Sequence, residues 1–412
     1  MSRNHDERRD DRGTQHHGGG RRYLAAALVF AVGMAGTTLP TPLYGLYRQE
    51  LGFSELMVTV VFAVYAVGVI TALLVAGNFS DVLGRRPVLL TALGLSALSA
   101  VCFLAEGGLP LLFLGRLLSG FSAGLFSGAA TAAVLELAPE GGRARAGFAA
   151  TAANMGGLGC GPLLAGVLAQ YAPWPLHLPY LVHLGLLVVA AAVAWALPET
   201  VQRPEPRPRL RPQGMVVPRE IRGVFVPAAV AAFAGFSLLG LFTAVAPSFV
   251  GQTLKVTNLA VSGAVVFSVF CASTAGQWLM GRVGPARSLP LGCGVLVVGL
   301  LLVGSSLLVK SLLLLVVGAV VGGLGQGLGF RGALTSVGAA APAEHRGRTI
   351  SAFFVVAYCG ISLPVVGVGA LTVGLGLRGA GEVFSACVVV LAGVVGAYLA
   401  RRSPGAGAPT AE

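Results

Sequence analysis

Twelve apolar runs, each about as long as a helix that crosses a bilayer, dominate this chain and leave it few folds. They lie at about 23–45, 55–77, 87–106, 110–137, 146–170, 178–198, 223–247, 258–281, 289–309, 311–339, 349–374 and 380–400. A helix rises 1.5 Å per residue, so about 20 residues span a hydrocarbon core of about 30 Å. Composition agrees: of 412 residues, 55% are hydrophobic and only 11% charged, with a mean hydropathy of +0.82. A water-facing surface would need roughly 25% charged residues. The chain therefore reads as an all-α integral membrane protein of 12 transmembrane helices. Its 60 glycines suit that solvent, where small residues let helix backbones approach closely.

A net charge of +12 could point to nucleic acid, but the basic residues are sorted by loop. Of 28 Lys and Arg, 22 fall on alternate loops and the two tails, four (Arg48, Lys255, Lys310, Arg378) on the intervening loops, and two (Arg116, Arg331) inside apolar runs. This positive-inside bias predicts cytoplasmic termini in an inner (plasma) membrane, and no nucleic-acid partner. The six cysteines all sit in apolar runs without CxxC pairing, so they read as packing residues. Neither a metal nor a cofactor is expected. Residues 1–22 are too polar to fold and read as a disordered cytoplasmic tail with no cleavable signal, and 401–412 form a second tail.

One connection breaks the short-loop spacing. Residues 199–222, PETVQRPEPRPRLRPQGMVVPREI, are rich in Pro and Arg and carry no apolar period, so they read as a cytoplasmic linker between six-helix bundles at 23–198 and 223–400. The halves repeat. A shift of 203 lays Gly120, Gly124, Pro139, Arg143, Arg145 and Gly166 on Gly323, Gly327, Pro342, Arg346, Arg348 and Gly369. A shift of 200 lays Asp81 and Gly84 on Gly281 and Gly284. Two copies that start on the same side imply bundles related by a pseudo-two-fold axis along the membrane normal, with a small-molecule substrate bound near the midplane.

The stretch GNFSDVLGRRPVLL, Gly77 to Leu90, is a charged loop between the second and third spans. Its G-x3-D-x2-G-R-R resembles the signature loop of the major facilitator superfamily, and a degenerate copy, GRVGPAR from Gly281 to Arg287, stands where that superfamily has its second. Topology, repeat and linker extend the resemblance over residues 23–400. The resemblance implies a gating latch of Gly77, Asp81, Gly84, Arg85 and Arg86, holding the halves together on the cytoplasmic side in an outward-open state. Asp81 would pair with Arg85 and accept from the N-terminal amides of a neighbouring helix, while Gly77 and Gly84 allow a tight turn. The other reading is that Arg85 and Arg86 only enforce orientation.

Arg116 lies about six residues into the fourth span, where it costs about 2.5–3.5 kcal/mol unless it faces protein or water. Its position resembles the superfamily's fourth-helix motif, whose arginine is implicated in proton coupling; the alternative is snorkelling to the outer surface. After it, Gly120, Gly124 and Gly128 form one smooth face suited to packing. In the fifth span, Gly157, Gly161, Pro162 and Gly166 match the antiporters' G-x3-G-P-x2-G-G pattern except that Ala165 replaces one glycine. Pro162 should kink that helix. Thr37, Thr38, Thr41 and Tyr44 around Pro40 and Pro42, with Asn154, Gln326, Arg331 and Tyr358, are the substrate-cavity candidates, set against plain helix–helix hydrogen bonding.

No Asp or Glu lies deep in any span. Arg116, Asp81 and Glu136 are thus the candidates for proton coupling, with His183 as an outsider, and neutral or anionic cargo is favoured over cationic. The chain reads as a monomeric transporter that exports a drug or metabolite by proton antiport. The alternative is a proton symporter or facilitator importing a sugar, organic acid or other nutrient. An enzyme would need a cluster of acids or histidines at the membrane surface, and the loops offer none.

Overall fold

A computed structural model of the chain describes residues 7–105, 107–201 and 214–402, with side chains described at 20–105, 107–201 and 214–401. Glu106, the linker arginines Arg203, Arg207, Arg209 and Arg211, and the tail residues before 7 and after 402 lie outside the described residues. Within them, all regular structure is helical. The first half runs α1 (Glu7–Thr38), α2 (Tyr44–Leu51), α3 (Glu55–Ala76), α4 (Phe79–Leu83), α5 (Arg85–Leu104), α6 (Gly108–Glu136), α7 (Arg143–Tyr171) and α8 (Leu178–Ala196). The second runs α9 (Arg222–Gly240), α10 (Ala246–Ser248), α11 (Leu259–Val283), α12 (Pro285–Val309), α13 (Leu312–Ala340) and α14 (Arg346–Arg402).

Among the described residues, 11 helical stretches are long and apolar enough to cross a membrane. The last of them, within α14, contains Gly376 at φ 69° and ψ 173°, a conformation that ends one helix and begins another. The spans expected at 349–374 and 380–400 lie on either side of it, which restores 12 crossings. The N-terminal side differs from expectation. The backbone is helical from Glu7, inside the stretch read as a disordered tail. Once the apolar span has nucleated a helix, each added residue forms one more hydrogen bond, so the helix propagates into polar sequence.

Proline sets the interruptions inside spans. α1 stops at Thr38, and a 3₁₀ turn, Thr41–Leu43, follows Pro40 before α2 carries the same span on to Gly52. Beyond α9 the helix widens into π turns at Leu241–Val245 and Phe249–Thr253, flanking α10. Pro247 in α10 has no N–H and its ring would collide with the Thr243 carbonyl in a regular helix, so the wider turn relieves it. The Thr243 hydroxyl donates back to the carbonyls of Leu239 and Gly240.

The described residues cluster into two compact units, one drawn from 1–52 and 64–213 and the other from 53–63 and 214–412. Each is held by backbone-to-backbone contact at glycine. In the first, a Cβ on Gly120 of α6 would collide with the Tyr65 carbonyl of α3, and one on Gly124 would stand 2.5 Å from Ala72 Cβ. Gly128 meets nothing within 4 Å, so the glycine face packs over two of its three positions. In the second unit the repeat mates Gly323 and Gly327 of α13 meet the carbonyls of Val269 and Ser273 on α11 in the same way. Likewise Gly157 packs α7 on α1, and Gly360, 203 residues on, packs α14 on Phe233 of α9.

These contacts leave no room for side chains. Gly120→Val and Gly327→Val are expected to lower stability by about 1–3 kcal/mol, the range for overpacking, while Gly128→Ala stays neutral. Thermal unfolding of the detergent-purified variants measures this, and equal losses at all three positions would contradict it.

Candidate functional site

The densest set of charged contacts gathers at the end of the first unit where α5 begins and α6 ends. Gly84, at φ 107°, makes the turn into α5, a conformation that favours glycine. A Cβ there would also stand 2.5 Å from Glu199 Oε2. Gly77, exposed in the turn after α3, takes no positive φ, so the tight turn falls to Gly84 alone. Its repeat mate Gly284, at φ 83°, makes the same turn into α12, with no acid beside it.

Arg85 is the hub. Nη1 donates to Asp81 Oδ1 at 2.5 Å and to Ser80 Oγ at 2.7 Å. Nη2 and Nε donate to the two oxygens of Glu136, at 2.8 and 3.2 Å, the bidentate geometry a guanidinium favours. The Thr200 hydroxyl donates to the same carboxylate. The arginine side chain is 13% exposed, Glu136 36% and Asp81 62%, so the Glu136 side is the sheltered one. The neighbouring Arg86 guanidinium takes a different partner, the Trp195 ring, 4.3 Å from its centroid.

The helix amides go elsewhere than expected. Asp81 was the anticipated acceptor for a helix N-terminus, but the backbone amides of Arg85 and Arg86, which open α5, donate to Glu199 Oε1 and Oε2 at 2.8 and 3.1 Å. A carboxylate there satisfies orphan donors and complements the helix dipole. Glu199 and Thr200 open the stretch expected to be a cytoplasmic linker. No local signal in the sequence marks them, because their partners lie more than a hundred residues away for Glu199 and 64 for Thr200.

Arg116 forms a second centre, inside the bundle. It is 1% exposed, so it does not snorkel. Its Nη1 donates to the Thr37 carbonyl at 2.6 Å, and its guanidinium lies 4.7 Å from the centroid of the Tyr65 ring. Thr37 is the penultimate residue of α1, whose helix is cut off by Pro40, so Arg116 places a cation on one of the orphan carbonyls of a helix C-terminus.

The α7 glycines press on that same turn of α1. A Cβ on Gly161 would collide with the Ala35 carbonyl and one on Gly157 would stand 2.5 Å from that of Ala31. Thr38 Oγ1 donates across to the Leu158 carbonyl at 2.7 Å. Pro162 and Gly166 are buried in α7.

The remaining candidates divide between the units. Thr37, Thr41 and Tyr44 are buried beside the α1 break, with Thr37 Oγ1 donating to the Met34 carbonyl. Asn154 is half-buried on α7, and its Oδ1 has no hydrogen-bond partner among the described residues. In the second unit, buried Gln326 accepts from Ser273 Oγ at 2.6 Å, Tyr358 packs edge-on to Phe236, and Arg331 is half-buried.

Comparison with known proteins adds to this geometry. The family model of the Major Facilitator Superfamily matches residues 26–308. The class D tetracycline resistance protein of Salmonella ordonez is 32% identical over 162 residues, 39% of this chain and 39% of that protein. The multidrug resistance protein MdtL of Shewanella oneidensis is 27% identical over 176 residues, 41% of this chain and 43% of that one. The matches thus span about two fifths of the length of these relatives. A POT family transporter in complex with a thioalcohol-conjugated peptide superposes with a TM-score of 0.75 at 12% identity, covering 94% of this chain and 97% of its own. The human organic anion transporter MFSD10 does so at 0.65 and 17%, covering 92% and 99%. At such identities the structures share the fold alone.

Because Asp81 is largely solvent-exposed, Asp81→Asn should change stability by no more than about 1 kcal/mol. Arg85→Ala, which removes several charged hydrogen bonds at once, should cost at least about 1.5–3 kcal/mol. Glu199→Ala should cost about 0.5–2 kcal/mol, as loss of a helix cap does. Thermal unfolding of the three variants tests this ranking, and an Asp81 variant less stable than the Arg85 variant would reverse it.

Proposed function

Because the chain belongs to the Major Facilitator Superfamily, and is thus a multi-pass membrane transporter and not an enzyme, we propose that it exports a small drug or metabolite in exchange for protons, by alternating access. The observation that carries this reading is α7. Its Gly157, Gly161, Pro162 and Gly166 resemble the antiporter pattern, and the glycines bring α7 against the last turn of α1, where helix geometry is already broken. A bend at Pro162 would therefore move the segment that holds Thr37, Thr38, Thr41 and Tyr44. The resistance functions named for two relatives point the same way.

In this reading the Arg85 cluster with Asp81 and Glu136 is the cytoplasmic gate, broken and remade in each cycle, and Arg116 is the fixed charge of the coupling machinery. Gln326, Arg331, Tyr358 and Asn154 line the path of the cargo. The loop distribution of arginine supports cytoplasmic termini in a plasma membrane. The protein works as a monomer. Import of a nutrient is the second reading, favoured by nothing in α7.

Growth of expressing and non-expressing cells on a panel of toxic compounds, tetracycline among them, should identify the cargo. Inverted vesicles are then expected to accumulate that compound when a proton gradient is imposed and to lose it on addition of an uncoupler. Uptake by right-side-out vesicles with none by inverted ones would sink export in favour of import. Arg116→Ala should leave downhill movement of the cargo but remove its response to the gradient; undiminished gradient-driven accumulation would refute that role.

A further inference from the structure

Among the described residues, Arg116 and His183 are the fully buried basic side chains, and no carboxylate is buried with them. A guanidinium stays charged throughout the physiological range, and phenols and thiols ionise above it. Imidazole, with an ordinary pKa of about 6.5, is the one buried group able to gain and lose a proton under working conditions.

The ring of His183, on α8, is enclosed by two other helices. Its Nε2 lies 3.4 Å from Ser96 Oγ on α5. The ring also presses on Gly36 of α1, where a Cβ would collide with it. Nδ1 is buried and has no hydrogen-bond partner among the described residues. In a neutral imidazole one nitrogen carries hydrogen and the other a lone pair. The Ser96 hydroxyl can donate to Nε2 or accept from it, and in the tautomer in which it accepts, the lone pair is on Nδ1.

A route to this ring starts from the end of the unit opposite the Arg85 cluster. A cavity of about 240 Å³ there is lined by Tyr47, Glu50, Cys102, Phe103 and Leu112, among others. Tyr47 donates from its hydroxyl to the Phe103 carbonyl at 3.3 Å, and Phe103 stacks on Tyr180 with centroids 5.2 Å apart. The Tyr180 hydroxyl is buried and has no hydrogen-bond partner among the described residues. Tyr180 and His183 are three residues apart on α8 and so share a face.

We propose that His183 carries the coupled proton, received from the side of this cavity. The proposal rests on the antiport reading and names the group it lacks. The proton adds to the Nδ1 lone pair, forming an N–H bond and turning a neutral ring into an imidazolium; it leaves from the same nitrogen. The groups that lie against the ring by position, Ser96 from α5 and Gly36 from α1, carry no charge. The charged group in register is Arg116 of α6, bound to the carbonyl of Thr37, the residue after Gly36. Protonation therefore puts a second cation on the same turn of α1, and that turn precedes the break at Pro40.

His183→Gln keeps the volume and a polar contact for Ser96 but has no titratable nitrogen. In proteoliposomes loaded with the compound that the growth screen identifies, this variant is expected to lose gradient-driven accumulation while downhill movement persists. Retention of full gradient-driven accumulation by His183→Gln would overturn the proposal. If the wild type itself shows no response to the gradient, the antiport reading fails instead. Should the variant lose downhill movement too, histidine-labelled wild type in nanodiscs decides by NMR. The His183 ring, assigned by its absence in the variant, is expected to titrate as the pH is lowered from 8 to 5; a ring that stays neutral throughout would also overturn it.

Discussion

In hydrocarbon the helices of this protein gain nothing from hiding apolar surface from one another, so their association depends on how closely their backbones can meet. The glycines supply that closeness at the same places in both units. Gly120 and Gly124 seat α6 on α3 as Gly323 and Gly327 seat α13 on α11, and Gly157 seats α7 on α1 as Gly360 seats α14 on α9. Every polar arrangement described above is hung on these contacts. Arg116 can reach the Thr37 carbonyl because α6 and α1 lie in the same tightly packed unit, and His183 meets Gly36 because no side chain stands between them.

The same solvent sorts the charges. Carboxylates appear at helix ends, where Glu136, Asp81 and Glu199 can share Arg85 and the amides of α5. Among the described residues, the charged or basic side chains that are fully buried are Arg116 and His183. A guanidinium placed on the end of a helix and an imidazole with one idle nitrogen are buried in the first unit, with no carboxylate buried beside them among the described residues. That composition turns attention from carboxylate chemistry to the charge state of a histidine.

Much of the architecture was legible in the sequence because membrane spans are written in long runs and the repeat is written in glycine. The 12 crossings, the tight turn at Gly84 and the burial of Arg116 all follow from local residue chemistry. What escaped depended on pairing across the chain. Glu199 caps a helix more than a hundred residues away, and nothing in PETVQR distinguishes a capping acid from a solvated one. The glycine stripe looked uniform, yet a Cβ on Gly128 would meet nothing within 4 Å. The π turns around Pro247 and the helical start at Glu7 show two further limits, since hydropathy marks where a helix is apolar but not how it is wound or where it begins.

The bond from Arg116 to α1 carries one more meaning. Its acceptor is a peptide carbonyl, which has no second protonation state in water at any pH a cell meets, and its donor never loses its hydrogen. Acid and base cannot undo this bond; displacement of the turn can. It behaves as a mechanical stop, reporting only where α1 is, and leaves the reading of proton concentration to other side chains.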